Sequence, residues 1–219
     1  VRLVDCEDAR ALWTDQRTVE FARLFDVQDE IVRGIVGQLN PKILQAEIDR
    51  VRRRPPDNAN AYDCMLRAVP LIYQASPTAF RTAGEFLERA LRLDPDYAHA
   101  HAWMAFWHLM GIGNGFVPDR AKSEAACERH AHAAIELDPD YASAYGMAAR
   151  CYSARKVSGW VDDLDREVAE AARLARHVMK IAKDDAVALY TAGMALAYVV
   201  GDLEDGGAMI ERALTATGR

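Results

Sequence analysis

Hydrophobic residues recur three and four positions apart over most of the chain after residue 57. In the segment EFLERALRL (85–93), Phe86, Leu87, Ala90 and Leu91 all fall on one face of a helix. This spacing predicts an amphipathic helix that turns its apolar face toward the core. Ala-rich stretches predict further helices, because Ala has the highest helix propensity. We therefore expect an all-α fold.

The helical pattern repeats at a fixed interval. The segment LDPDYAHAHAWMA (93–105) recurs as LDPDYASAYGMAA (137–149) and, more weakly, as IAKDDAVALYTAG (181–193), in steps of 44 residues. An earlier copy, PPDNANAYDCML (55–66), lies 39 residues upstream. Pro ends the preceding helix, because the residue before Pro is pushed out of helical conformation. Each unit is predicted to be a pair of helices, and the first helix opens in turn at Ala59, Ala98, Ala142 and Ala186.

Small residues mark the places where paired helices must approach closely. In the first helices they are Ala105, Ala149 and Gly193, and in the second helices Ala90, Ala134 and Ala213. Together with the closing Leu-Asp-Pro, this pattern resembles the tetratricopeptide repeat. The resemblance implies a right-handed superhelix of antiparallel helix pairs, in four hairpins at 57–97, 98–141, 142–185 and 186–219.

The earlier repeats exceed the family's usual length of about 34 residues, whereas the last one is close to it. The surplus falls between the two helices of a unit, at GIGNGFVPDR (111–120) and ARKVSGWVDDLD (154–165). We expect a flexible loop that starts at Gly111, where glycine would stop the helix. Phe116 and Trp160 lie in these segments, where each side chain either tucks under its loop or marks a contact site.

Residues 1–56 do not repeat. Residues 1–15 predict a short β-hairpin or its remnant, and 26–56 predict two leading helices, the second at about 42–54. RLVDCEDARALWTDQ followed by LFDVQDEIV resembles the end of a TolB-like domain, which would make 1–25 a remnant of that domain. Such domains occur in multidomain bacterial signalling proteins, after a class III adenylate/guanylate cyclase domain or a winged-helix DNA-binding domain. The resemblance favours a cyclase parent. Since the chain opens without Met, we expect a piece of a longer polypeptide.

Composition narrows the function classes. The chain has 219 residues and a formal net charge of -6, which argues against a nucleic-acid surface. No stretch reaches the roughly 18 apolar residues that a membrane span requires, so a cytoplasmic location is expected. One basic run, Arg50 and 52–54, predicts either a solvated helix end or a docking patch for an acidic partner. The cysteines lack metal-ligand spacing and are predicted to be small buried thiols in a reducing compartment; they are Cys6, Cys64, Cys127 and Cys151.

No motif predicts catalysis, a metal or a cofactor. The two H-x-H pairs, His99 with His101 and His130 with His132, place their rings on different faces of a helix. GIGNG follows a helix and lacks the G-K-[ST] ending of a phosphate loop. The acidic residues at 162, 163 and 165 lack the spacing of a calcium loop, and they predict a complement to the dipole of the following helix.

A repeat scaffold acts through its surface. The resemblance implies that a protein or peptide binds on the concave face, which the first helices line. The pattern lacks the Lys- and Asn-rich clamp for a C-terminal carboxylate, and self-association as a homodimer is the alternative. The candidate groove residues lie about one turn apart on the first helices: Asn60, Asp63, Arg67, His99, Phe106, Arg150, Tyr190, Met194 and Tyr198.

Overall fold

The computed structural model describes residues 2–4, 11–14, 43–48, 60–74, 76–159, 161, 163–182 and 185–216. These residues are mostly helical, which confirms the all-α class. After residue 60 the helices are α1 (Ala61–Ile72), α2 (Pro77–Leu93), α3 (Ala98–Asn114), α4 (Arg120–Leu137), α5 (Ala142–Ser158), α6 (Leu164–Ile181), α7 (Ala186–Ala195) and α8 (Leu203–Ala216). A π-helical turn, Leu196–Val200, extends α7.

The N-terminal segment contains two short strands, β1 (Arg2–Val4) and β2 (Ala11–Thr14). They pair antiparallel, with Leu3 opposite Trp13, in the stretch predicted to be a hairpin. Residues 43–48 are helical and belong to the second predicted leading helix. The first leading helix, most of the predicted TolB-like remnant and the basic run at 50–54 lie outside the described residues.

The helices begin where the sequence places its signals. α3, α5 and α7 begin at Ala98, Ala142 and Ala186, as predicted. Ala59 lies outside the described residues, and α1 begins two positions later, at Ala61. The second helices start on polar caps, as in α6, where Asp163 accepts a hydrogen bond from the Arg166 N–H at 3.1 Å. Asp163 thus caps α6 and Asp165 lies in its first turn, as predicted for a complement to the helix dipole, while residue 162 lies outside the described residues.

The predicted loop at Gly111 is wrong. α3 continues to Asn114 and ends at Gly115, whose φ of 70° lies in the left-handed region that glycine enters without strain. Gly111 is buried inside the helix, and a Cβ there would collide with the rings and methyls of Phe80 and Val117. α5 likewise runs to Ser158 and stops at Gly159, with φ 70°. The surplus residues therefore lengthen the first helices.

Successive helices pack as four hairpins. Each first helix packs along the second helix that follows it, and the first helices also contact one another in the order α1, α3, α5, α7. All six predicted small residues at these contacts are buried. The core between the helices contains fully buried Leu66, Leu87, Met147 and Leu174. No helix in the described part of the chain is long and apolar enough to span a membrane.

The expectation of separate thiols is wrong for two cysteines. Cys127 on α4 and Cys151 on α5 form a disulfide, which joins the second hairpin to the third. Sequence spacing gave no sign of it, because the pairing depends on how two helices lie against each other. Cys64 is a free, buried thiol, and Cys6 lies outside the described residues.

Candidate functional site

The first helices enclose a cavity of about 470 Å³ on the face that they share. Its wall draws on all four hairpins. Tyr73 comes from the end of α1, Phe106 from α3, Arg150 from α5, and Tyr190 from α7. The structure thus brings together Phe106, Arg150 and Tyr190, three residues predicted for the groove from positions up to 84 residues apart in the sequence.

Arg150 is the polar centre of this cavity. Its side chain is half-buried, and it makes no hydrogen bond or ion pair with the described residues. Desolvation by the surrounding groups lowers the pKa of the Arg150 guanidinium, although arginine stays protonated at any ordinary pH. A cation held in this way lacks the counter-charge that partly buried arginines usually have.

The lining of the cavity is aromatic and locally basic. Arg120 lies there with its guanidinium 3.6 Å from the Glu124 carboxylate, and no Asp or Glu is among the described residues that line the wall. The Tyr73 ring lies 5.8 Å from that of Phe106, and Tyr73 and Tyr190 are 57% and 48% exposed. Exposed tyrosines around an arginine are typical of surfaces that bind other proteins.

Tyr198 lies on the π-helical turn beyond Tyr190, and it is 45% exposed. The Lys156 ammonium, from α5, donates to the Tyr198 carbonyl at 2.8 Å and to the Val199 carbonyl at 3.4 Å. The same ammonium lies 5.3 Å from the centre of the Tyr198 ring. A π turn leaves carbonyls without their usual helical partners, and Lys156 satisfies two of them. This contact fixes the backbone that carries Tyr198.

The other predicted groove residues lie away from this cavity. Asn60 caps α1, accepting a hydrogen bond from the Asp63 N–H at 2.8 Å, and Asp63 is only 3% exposed. Arg67 is half-buried on α1, and Met194 is half-buried on α7. His99 lies at the start of α3 and stacks on Tyr141, with ring centres 4.2 Å apart. Whether any of these residues binds a partner stays a prediction.

Tyr73 is a cavity residue that the sequence reasoning missed. The predicted line of groove positions on α1 ended at Arg67, and Tyr73 follows the last helical residue as its C-cap. The spacing of the repeat could have identified Tyr73. Tyr73 stands 39 positions before Ile112, the same step that relates the first two units, and Ile112 also lines the cavity.

A second missed cluster consists of His101, His108 and His130. The Nδ1 atoms of His101 and His130 lie 2.9 Å apart, and the Nε2 of His101 lies 2.9 Å from the Pro95 carbonyl, to which it donates. With the proton of His101 on Nε2 alone, its Nδ1 is an acceptor and His130 donates its Nδ1–H to it. Burial lowers the pKa values of His108 and His130 to about 4, helped at His130 by its histidine neighbours.

This cluster is not arranged as a metal centre. Among the described residues, no three histidine, cysteine or acidic side chains converge as metal ligands. The Nδ1 of His108 is buried, and it has no hydrogen-bond partner in the part of the chain that the structure describes. The rings of His108 and His130 stack with centres 6.1 Å apart, so the cluster fills space between α3 and α4.

Comparison with known proteins relates part of this chain to a bacterial protein. No protein-family model matches the chain. A stretch of 121 residues, 54% of this chain, is 31% identical to the protein named "Putative adenylate cyclase 3" of Rhizobium meliloti (strain 1021). The matched stretch is 21% of that protein's length, so the chain corresponds to about a fifth of this relative. The relationship is distant and partial.

Proposed function

We propose that this chain is a protein-binding module of the tetratricopeptide type, which holds a peptide segment of a partner on the face shared by α1, α3, α5 and α7. The observation that carries the proposal is the cavity between these helices, in which exposed tyrosines surround a half-buried arginine with no counter-charge among the described residues. A folded protein rarely keeps such a group half-buried and unpaired without a use for it.

The arrangement of the helices supports the same conclusion. Each first helix contacts the first helix of the next hairpin. The other contacts between hairpins join a second helix to the first helix that follows it. These contacts support our proposal that the first helices form the inner layer, the surface along which repeat stacks of this kind bind. We propose that the four hairpins form the superhelix typical of the family.

We further propose that the module belongs to a bacterial signalling protein with an adenylate cyclase head. Similarity to the cyclase of Rhizobium meliloti supports this parent over one with a winged-helix DNA-binding domain. The coding sequence upstream of Val1 provides the test. A cyclase catalytic domain there would support the proposal, and a winged-helix domain would contradict it.

Peptide binding can be tested without knowing the partner. A displayed library of random 12-residue peptides is selected on the purified chain, and the enriched peptides are measured by fluorescence anisotropy. We expect Tyr73→Ala/Tyr190→Ala to weaken binding at least about tenfold, because it removes two aromatic contact residues of a hot-spot type. The matched control is Leu164→Ala/Met179→Ala, which removes two exposed apolar side chains from α6.

The control should change the affinity less than about twofold, well below a hot-spot effect. Equal losses in both double variants, or no enrichment of any peptide, would contradict the proposed binding face. Light scattering of the same samples addresses the alternative of a homodimer. A stable dimer that dissociates in Tyr73→Ala/Tyr190→Ala, without peptide binding, would favour self-association.

A cytoplasmic location and the lack of catalysis stay predictions. The Cys127–Cys151 disulfide counts against a cytoplasmic location, because disulfides are rare in reducing compartments.

A further inference from the structure

The cavity has a chemical selectivity that can be derived from its lining. Two arginines and no carboxylate line it among the described residues, although the chain as a whole carries a net charge of -6. The local charge is therefore opposite in sign to that of the molecule. Arg120 already has Glu124 at 3.6 Å, which leaves Arg150 as the cation available to a ligand.

The surroundings of Arg150 define what a ligand must carry besides its charge. Phe106 is only 7% exposed, and Leu109 and Ile112 are each 8% exposed, so the floor of the cavity is apolar. Tyr190 adds an aromatic ring at the rim. A ligand with only a carboxylate would leave this apolar surface exposed to water. A ligand with only an apolar side chain would leave the guanidinium without a counter-charge. The complementary ligand combines both groups within a few ångströms.

We propose that the cavity takes an acidic side chain of a partner's internal peptide segment, with a large apolar or aromatic residue beside it in that segment. The carboxylate would pair with the Arg150 guanidinium, and the neighbouring side chain would pack on Phe106 and against Tyr190. This inference rests on the proposed peptide-binding function and specifies its ligand. The volume of about 470 Å³ suits two side chains and is too small for a folded domain.

The acidic group is assigned to an internal residue because, in the part of the chain that the structure describes, Arg150 is the single cation at the cavity without an acidic partner. A free C-terminus would present its carboxylate at the end of the chain, and the partner segment would then leave half of the extended inner face unused. An internal residue lets the segment continue along α3 on one side and α7 on the other. Tyr198, 45% exposed on the turn after Tyr190, lies on that onward path.

The test uses a defined array of nine-residue peptides with acetylated N-termini and amidated C-termini. The central pair is Phe, Leu or Ala followed by Glu or by its neutral isostere Gln. Two further probes carry the carboxylate in other forms: a Phe-ending peptide with a free C-terminus, and 3-phenylpropanoate. Binding of each probe to the whole chain is measured by fluorescence anisotropy or calorimetry.

We expect Phe-Glu and Leu-Glu peptides to bind at least about tenfold more tightly than Phe-Gln and Leu-Gln, the range of a charge-assisted hydrogen bond. Arg150→Met should abolish this preference while leaving the amide peptides almost unchanged. Arg150→Lys should retain part of it. The control, Arg81→Met, changes an exposed arginine on α2 and should preserve the wild-type preference.

The outcomes separate this inference from the function on which it rests. If Glu and Gln peptides bind equally and both lose affinity in Tyr73→Ala/Tyr190→Ala, the binding face stands and the acidic assignment is overturned. Tighter binding of the free C-terminus or of 3-phenylpropanoate than of Phe-Glu overturns the internal-residue assignment. Failure of every probe to bind, with the library selection also empty, overturns both. Melting curves by circular dichroism verify that the Arg150 variants remain folded.

Discussion

The His108 Nδ1 and the Arg150 guanidinium both have no hydrogen-bond partner among the described residues, for two different reasons. The His108 Nδ1 is buried, and burial lowers the pKa of this imidazole and of the neighbouring His130. Arg150 is half-buried and keeps its charge, and it faces a cavity with an open mouth. Protonation of the buried His108 would lower stability, whereas the charge of Arg150 remains available to a ligand.

The histidine cluster predicts a loss of stability in mild acid. His108 and His130 have pKa values of about 4 in the fold, against about 6.5 in an unfolded chain. Folding therefore favours their neutral forms. Their stabilising effect is complete above pH 6.5, decreases as the pH falls from 6.5 toward 4, and is lost below that range.

Urea unfolding between pH 7.5 and 4.5 measures this effect. We expect the wild type to lose on the order of 1–2 kcal/mol more than His130→Gln over that interval, after allowance for solvent screening of a partly exposed cluster. His132→Gln, on the same helix and with a side chain that is 42% exposed, is the control and should follow the wild type. Parallel pH profiles for wild type and His130→Gln would show that the cluster is indifferent to protonation.

At the scale of helices, the last hairpin contains one glycine at a close helix contact and one that faces open space. Gly193 on α7 and Gly206 on α8 face each other, and a Cβ on Gly206 would lie 2.8 Å from the Gly193 carbonyl oxygen and 2.9 Å from the Ala197 nitrogen. Gly207, the next residue, has nothing within 4 Å of an added Cβ. Backbone atoms cannot move aside as a flexible side chain can, so the two positions should respond oppositely to a methyl group.

Gly206→Ala is expected to lower the free energy of unfolding by about 1–3 kcal/mol, because the methyl group would force α7 and α8 apart. Gly207→Ala should leave stability unchanged or raise it by up to about 1 kcal/mol, through the higher helix propensity of Ala. Chemical denaturation of both variants provides the comparison. A loss of similar size in both would mean that the hairpin is not closely packed at Gly206.

For the whole molecule, the sequence predicts the architecture better than the contacts between helices. The starts of α3, α5 and α7 could be predicted because local signals, an alanine after Leu-Asp-Pro or its remnant, determine them. The end of α3 could not be predicted from the sequence. Glycine commonly stops a helix, and only the packing of Phe80 against Gly111 shows why this glycine lies inside one. Local spacing cannot distinguish a glycine needed for close packing from one needed for a turn.

Local sequence signals likewise predicted only part of the candidate site. Phe106, Arg150 and Tyr190 were predicted because the repeat itself assigns them to one face. The His101–His130 contact and the Cys127–Cys151 pair were missed, since they join residues 29 and 24 positions apart across helix interfaces. Such contacts depend on the axial register between helices, which a single sequence does not encode in any short motif.

The central claim is that a peptide lies on the inner face of the four hairpins, and photo-cross-linking tests it most directly. Benzoylphenylalanine replaces Tyr190 in one variant and Met179, an exposed residue on α6, in the other. Each is irradiated with the tightest peptide from the library selection. The account predicts cross-linking from position 190 at least about tenfold stronger than from position 179, and its loss with excess unlabelled peptide, as expected for one specific site. Equal labelling from both positions, or stronger labelling from 179, would contradict it.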